Sequence, residues 1–323
     1  MRTLVTGGAG FIGAGLVERL LVDGHEVDVV DDLSTGTPAN LAIARAGGGD
    51  RFVFHHMDIR LPAVTELVVR REPEVVFHLA AQADVRVSVA DPALDAGVNV
   101  IGSLQVLEGA RRAGARKVVF AGSGGTLYGT PTDLPTAESH DRRPISPYGV
   151  AKKAVGDYLH YYESIWGLDF AVLALANVYG PRQDPFGEAG VVAIFARRLL
   201  DAEPITIYGD GCQTRDFVYV DDVVDAFTRA KDPGAASGLV VNVGTGVETS
   251  VNDLYATMAR LAGTDAQAQS APARPGELIR SALDAGLAGT VLGWKPATTL
   301  ERGLAATLDW FRTARERESG TDC

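Results

Sequence analysis

Thr3-Leu4-Val5-Thr6-Gly7-Gly8-Ala9-Gly10-Phe11-Ile12-Gly13 is the stretch that decides the fold of this chain. A short β-favouring run, residues 3–6, passes directly into a glycine-rich turn, and the turn passes into an amphipathic helical pattern over residues 14–21. Glycines let such a turn close and let backbone approach a pyrophosphate. The N-terminus of the following helix adds N–H groups and partial positive charge. A second strand, residues 26–30, then ends at Asp31, where a carboxylate binds adenosine ribose hydroxyls and repels a 2′-phosphate. The glycine spacing G-x-x-G-x-x-G is less common than G-x-G-x-x-G. Strand, turn, helix, strand and acid together point to a dinucleotide site that prefers NAD to NADP.

Outward from this stretch, short apolar runs at 75–79, 118–121 and 170–175 alternate with helical patterns, the rhythm of βαβ units around a parallel sheet. The expected fold is α/β, a Rossmann-type doubly wound parallel sheet. After Gly180 the spacing becomes irregular, with a turn-rich stretch at 181–190, a helix near 192–200 and a short strand at 205–208. Residues 1–176 are therefore expected to form the NAD-binding domain and 177–323 mainly a smaller substrate-binding domain. Segments within 217–247, including 217–220 and 239–243, are expected to return to the first.

Composition narrows the partners. A formal charge of −11 argues against a nucleic-acid binder, whose affinity comes from clustered Lys and Arg. An acidic protein that binds an anionic small molecule must concentrate its donors locally, in backbone N–H groups or a few arginines. The two cysteines, Cys212 and Cys323, lack metal-type spacing and fit a reducing cytosol. The six histidines show no ligand spacing, and His55 and His56 point to opposite faces if extended. No apolar run approaches the ~20 residues that cross a bilayer, and glycines interrupt the N-terminal apolar stretch, so neither a membrane span nor a secretory leader is expected. The reading is a cytoplasmic protein.

Ser146-Pro147-Tyr148 reads as a helix start, with Ser as N-cap and Pro at the first helical position, and the helical pattern runs to Trp166 before Gly167. Tyr148 and Lys152 then stand one turn apart on one face. A tyrosine of ordinary pKa, about 10, is a poor base at neutral pH, and nearby positive charge favours its phenolate. That gives the spacing a chemical purpose.

The motifs Thr6-Gly7-Gly8-Ala9-Gly10-Phe11-Ile12-Gly13, Asp31-Asp32-Leu33, His78-Leu79-Ala80-Ala81-Gln82, Tyr148-x-x-x-Lys152, Asn177-Val178-Tyr179-Gly180-Pro181, Arg215-Asp216-Phe217 and Arg274-Pro275-Gly276-Glu277 occur in one order. In that order they resemble the extended short-chain dehydrogenase/reductases, and within them the sequence looks most like bacterial UDP-glucose 4-epimerases. The resemblance implies a tightly held NAD contacted by Gly7, Gly10, Phe11, Ile12, Gly13, Asp31, Asp32, Asp58, Ile59, Leu79, Ala80, Ala81, Tyr148 and Lys152. It implies that Tyr148 takes the proton of a UDP-sugar 4-hydroxyl while hydride leaves C4, and that the 4-keto intermediate turns and is reduced on its other face. A Ser or Thr before Tyr-Gly completes the family's site. Gly124 stands at its usual position here, so Ser123 or Thr126 must substitute. Asn177, the backbone around Val191 and Val192, Arg215 and Arg274 are implied to line the sugar-nucleotide site, and a homodimer is implied through the Tyr148 helix and the one near 92–112.

Three further details bear on the sugar. Related dehydratases carry an acid pair where Gly125-Thr126 stands, and related glucuronate epimerases carry an arginine where Asp184 stands. A neutral hexose is thereby favoured over UDP-glucuronate and epimerisation over dehydration, while intact Tyr148 and Lys152 argue against a non-catalytic NAD sensor. Ser281 occupies a position where a large Tyr narrows the pocket in some relatives, so N-acetylated sugars are expected to fit.

Overall fold

The computed structural model describes residues 1–186, 190–264, 267–273 and 278–319. The chain begins with β1 (Arg2–Thr6), α1 (Phe11–Val22), β2 (Glu26–Asp31), α2 (Ala42–Gly48), β3 (Phe52–His56), α3 (Pro62–Arg71) and β4 (Val75–His78). Next come α4 (Val85–Ala90), α5 (Pro92–Ala96), a π-helical segment (Gly97–Gly102), α6 (Ser103–Ala113), β5 (Lys117–Ser123), α7 (Gly124–Leu127) and α8 (Pro147–Trp166). β6 (Asp169–Leu175), β7 (Asn177–Tyr179), α9 (Val191–Leu200), β8 (Thr206–Tyr208), β9 (Thr214–Arg215), β10 (Phe217–Tyr219) and α10 (Val220–Ala230) follow. The last elements are β11 (Leu239–Val243), β12 (Thr249–Ser250), α11 (Val251–Ala262), β13 (Gln269–Ala271), α12 (Gly286–Val291) and α13 (Leu300–Ser319).

Seven strands form one sheet in the order β11-β6-β5-β4-β1-β2-β3, and every neighbouring pair is parallel. This is the doubly wound Rossmann-type arrangement that the sequence led us to expect. Adjacent residues on each strand feed opposite cores. Leu4, Val76, Val118 and Val172 pack with Val64, Val106 and Leu159 on one face, while Val5, Phe77, Val119 and Leu173 pack with Leu16, Leu20 and Phe227 on the other. Covering both faces is why these strands read as unbroken apolar runs. The chain winds to opposite sides from β1 and β4, so a crevice opens at their carboxyl ends.

β5 runs two residues beyond the apolar run visible in the sequence. Gly122 permits this, because a Cβ there would stand 2.8 Å from the Val172 side chain of the neighbouring strand. Val220, expected at a strand end, instead opens α10. Of the two returning segments, 239–243 is the edge strand beside β6, and 217–219 pairs with β7 in a separate two-stranded sheet. A third core around Tyr179, Phe195, Ile207, Phe217, Leu254 and Leu304 holds α9, α11 and α13 over the carboxyl side.

Candidate active site

The glycine turn after β1 closes against the end of β4. Gly7 has φ +70°, and a Cβ on it would lie 2.6 Å from the Ala80 amide nitrogen; a Cβ on Gly13 would run into the Gly7 carbonyl oxygen. No side chain caps α1 at Gly10, so the first-turn amides of Phe11, Ile12 and Gly13 point out of the helix end beside this turn. A side-chain-free cradle at a helix N-terminus fits a pyrophosphate. Asp31 stands at the end of β2, buried, with Oδ2 accepting from the Ala9 N–H (2.9 Å) and Oδ1 from the Leu33 N–H (2.8 Å). Burial pushes its carboxyl above the usual range, opposed by those two bonds. Each oxygen keeps a further lone pair for a ribose hydroxyl.

The other expected cofactor residues surround this turn. Asp32 is exposed and accepts from the Ser34 amide and hydroxyl. Asp58 is gripped by the Arg60 guanidinium, which holds its carboxyl below the usual range, and the buried Ile59 packs against Gly102. Leu79 and Ala80 each donate a backbone N–H to Thr6 Oγ1 at 3.2 Å, with Ala81 next along. Behind them lies His78, fully buried. Ser103 Oγ donates to the Asn99 carbonyl (2.6 Å), so it accepts from His78 Nε2 (2.8 Å), leaving Nδ1 to accept from Thr6 Oγ1 (2.6 Å). Burial pushes this imidazole down to about 3, so it is neutral.

α8 starts as the sequence suggests: Ser146 Oγ accepts from the Gly149 N–H, and Gly167 ends the helix at φ +69°. Its inner face presents Lys152, Val155, Leu159 and Tyr162 to the sheet. Lys152 Nζ donates to the Ala121 carbonyl at 2.9 Å and lies 5.6 Å from the centre of the Tyr148 ring. Ser123, at the end of β5, is the hydroxyl that draws the Tyr148 phenol downward. Thr126 instead turns its hydroxyl toward the Ser123 carbonyl (3.4 Å), and its backbone carbonyl packs beneath α8, 2.8 Å from where a Gly149 Cβ would be. Of the two hydroxyls left open by the sequence, Ser123 is the one that acts on the Tyr148 phenol.

The ionisation of the pair differs from the sequence expectation. Burial first, opposed by the Ser123 hydroxyl and reinforced by the charge of Asp95, pushes the Tyr148 phenol up to about 12. Burial lowers the Lys152 amine to about 8, against an upward pull from Asp95. Desolvation is the largest influence on both groups in the protein alone.

On the substrate side, Asn177 opens β7 with its side-chain oxygen 3.9 Å from where a Gly125 Cβ would stand. Val191 and Val192 begin α9, and Arg215 on β9 donates to the Thr214 carbonyl (2.8 Å). Arg274 lies outside the described residues. Ser281 is buried. Asp216, quoted in a motif but given no role, is a buried hub: it accepts from the Thr245 hydroxyl (2.6 Å) and from the amides of Thr245, Gly246 and Leu283. It ties β10 to the loops that flank Gly124. Among the described residues no cluster of His, Cys, Asp and Glu could hold a metal ion, and no helix is long and apolar enough to cross a membrane.

A doubly wound sheet with a glycine turn after β1 and a Ser-Tyr-Lys trio beside the same crevice defines a class of nicotinamide-dependent enzymes. The model of the NAD dependent epimerase/dehydratase family matches residues 3–244, and the chain belongs to that family. It is 52% identical to the UDP-glucose 4-epimerase of Mycolicibacterium smegmatis, over 97% of this chain and 99% of the relative. The solved UDP-glucose 4-epimerase of Thermotoga maritima with UDP-glucose is 44% identical, with a TM-score of 0.93 over 98% of this chain and all of that one. That of Thermus thermophilus in complex with NAD is 43% identical, with a TM-score of 0.90 over 97% and 100%.

Proposed function

We propose that this protein is an NAD-dependent UDP-glucose 4-epimerase, interconverting UDP-glucose and UDP-galactose through a 4-keto intermediate. The observation that carries the reading is the Ser123-Tyr148-Lys152 trio beside the glycine turn, in a chain 52% identical to a protein of that name. NAD, when bound, supplies the acceptor and then the donor of the electron pair at the sugar C4, together with a positive charge that favours the phenolate. The glycine turn, the α1 amides and Asp31 hold it, with Asp32, Asp58, Ile59 and Leu79 to Ala81 around them. Tyr148 takes and returns the proton of the 4-hydroxyl, and Ser123 orients that hydroxyl. Lys152 positions the nicotinamide ribose and adds to the positive field. Asn177, Val191, Val192, Arg215 and Arg274 bind the sugar nucleotide, and the absence of a carboxylate at Gly125-Thr126 speaks against dehydration. The small buried Ser281 supports acceptance of N-acetylated sugars.

The same reading divides the chain near residue 176 and places the protein in the cytoplasm. A homodimer is supported by the outer face of α8, where Val150, Tyr158, Tyr161, Ile165 and Trp166 are exposed in a helical stripe around a concavity lined by Ala154, Asp157, Tyr158 and Tyr161. Val89, Leu94 and Ile101 extend the apolar surface on the adjoining helices, so a second copy would complete a four-helix bundle. Sedimentation at micromolar concentration should give a dimer, and a monomer would remove this part. Purified protein given UDP-galactose without added acceptor should form UDP-glucose. Bound NAD with no turnover of either sugar, their N-acetyl forms or UDP-glucuronate would overturn the enzymatic reading.

A further inference from the structure

α5, the π-helical turn and α6 are continuous, and one of their faces aligns Asp95, Asn99 and Ser103. A π turn at this point displaces the helix register locally, a feature often found at functional sites. Asp95 is 1% exposed. Its Oδ1 accepts from Gln82 Nε2 (3.0 Å) and Asn99 Nδ2 (2.8 Å). Its Oδ2 is buried and has no hydrogen-bond partner. Gln82 and Asn99 are themselves locked together: the Gln82 amide donates to Asn99 Oδ1, and Asn99 Nδ2 donates to the Gln82 carbonyl, both at 2.9 Å. The network thus pins the chain just past Leu79, Ala80 and Ala81.

A buried carboxylate with one oxygen idle is costly to the fold. Asparagine would make the same two bonds without burying a charge. What distinguishes aspartate here is therefore its charge, and α5 packs directly on α8. From α8, Tyr148 and Lys152 feel that charge. His78, on β4 behind them, is neutral. Asp84 and Asp91 are engaged as the N-caps of α4 and α5, and Lys153 is turned outward in an ion pair with Asp157.

We propose that Asp95 is a positioning residue for the catalytic pair, its unpaired Oδ2 carrying a buried counter-charge that acts on Lys152 and Tyr148 while Oδ1 anchors Gln82 and Asn99. The proposal rests on the reading of Tyr148 and Lys152 as that pair. The charge opposes desolvation at Lys152, keeping the ammonium, and reinforces it at Tyr148, keeping the phenol until a cation arrives. Removing the charge therefore favours neutral Lys152 and ionised Tyr148 alike. Both changes displace the working window toward acid.

Asp95→Asn tests this with two readouts. In the pH profile of kcat, both limbs should move to lower pH, so that on the alkaline limb the rate falls about tenfold against the parent. Independently of turnover, the tyrosinate absorbance assigned to Tyr148, by subtracting Tyr148→Phe in each background, should appear at lower pH in Asp95→Asn. A reduced rate with both limbs and the absorbance unmoved would make Asp95 merely structural. Failure of this near-isosteric variant to fold would also overturn the proposal, because it would show the charge to serve the fold. If the protein is no epimerase at all, the absorbance titration still decides the matter.

Discussion

The Leu283 side chain occupies the place where a Cβ on Gly124 would be, with the Ala174 carbonyl oxygen 3.1 Å away on the other side. A serine or threonine at 124 would require the Leu283 side chain to shift. The neighbouring hydroxyl is one residue upstream, on Ser123, and it draws the Tyr148 phenol downward. Gly124→Ser is expected to destabilise the protein by roughly 1–3 kcal/mol through overpacking. Because Leu283→Ala opens the space, the double variant should lose measurably less than the sum of the singles, a coupling that denaturant unfolding can read.

Three hydroxyls can be ranked by rate. Tyr148→Phe should lower kcat by at least about a hundredfold with NAD still bound, since only proton transfer is removed. Ser123→Ala should lose less than Tyr148→Phe but clearly more than Thr126→Ala, whose hydroxyl faces the Ser123 carbonyl. Steady-state kinetics on all three, with the bound cofactor quantified, checks the order. A Thr126→Ala defect larger than that of Ser123→Ala would reverse the assignment.

His78 predicts an acid-limb dependence of stability. Its folded pKa is about 3, against 6.5 for the unfolded side chain, so below pH 6.5 the unfolded state binds a proton that the folded state refuses. The contribution is fully present above 6.5 and is lost as pH falls toward 3, at about 1.4 kcal/mol per pH unit. His78→Gln should be less stable at neutral pH and should show a shallower slope over this interval. Urea unfolding at several pH values measures both.

Asp31 links cofactor choice to loop geometry. Asp31→Asn leaves an oxygen for the Ala9 amide but removes the charge, so NAD affinity should fall about ten- to a hundredfold, the range of one charge-assisted hydrogen bond. Discrimination against NADP should shrink at the same time. Calorimetric titration of cofactor-stripped protein with both dinucleotides provides the comparison.

What was legible in the sequence was local. The glycine turn, the acid that ends β2 and the Ser146-capped helix each specify their own backbone within a few residues, and their order specifies the sheet. The choice between Ser123 and Thr126 was hidden, because spacing does not show that the Thr126 hydroxyl turns to the Ser123 carbonyl. The Asp95 network was hidden as well: the helix near 92–112 was visible, but its spacing does not say that packing against α8 buries the Asp95 carboxylate. The upward displacement of the Tyr148 phenol was also out of reach, since helical spacing reports the neighbouring lysine but not desolvation. Asp216 shows the limit from another side. Its motif was visible, but the amides it gathers from 245, 246 and 283 were not.

The most direct measurement follows a deuterium label at C4 of UDP-galactose through conversion by the purified protein, without added acceptor. Removal and return of the same hydrogen inside one closed site predicts UDP-glucose with the label still at C4 and no net change in the redox state of the cofactor. Label lost to water during conversion, or no conversion at all, would contradict the account.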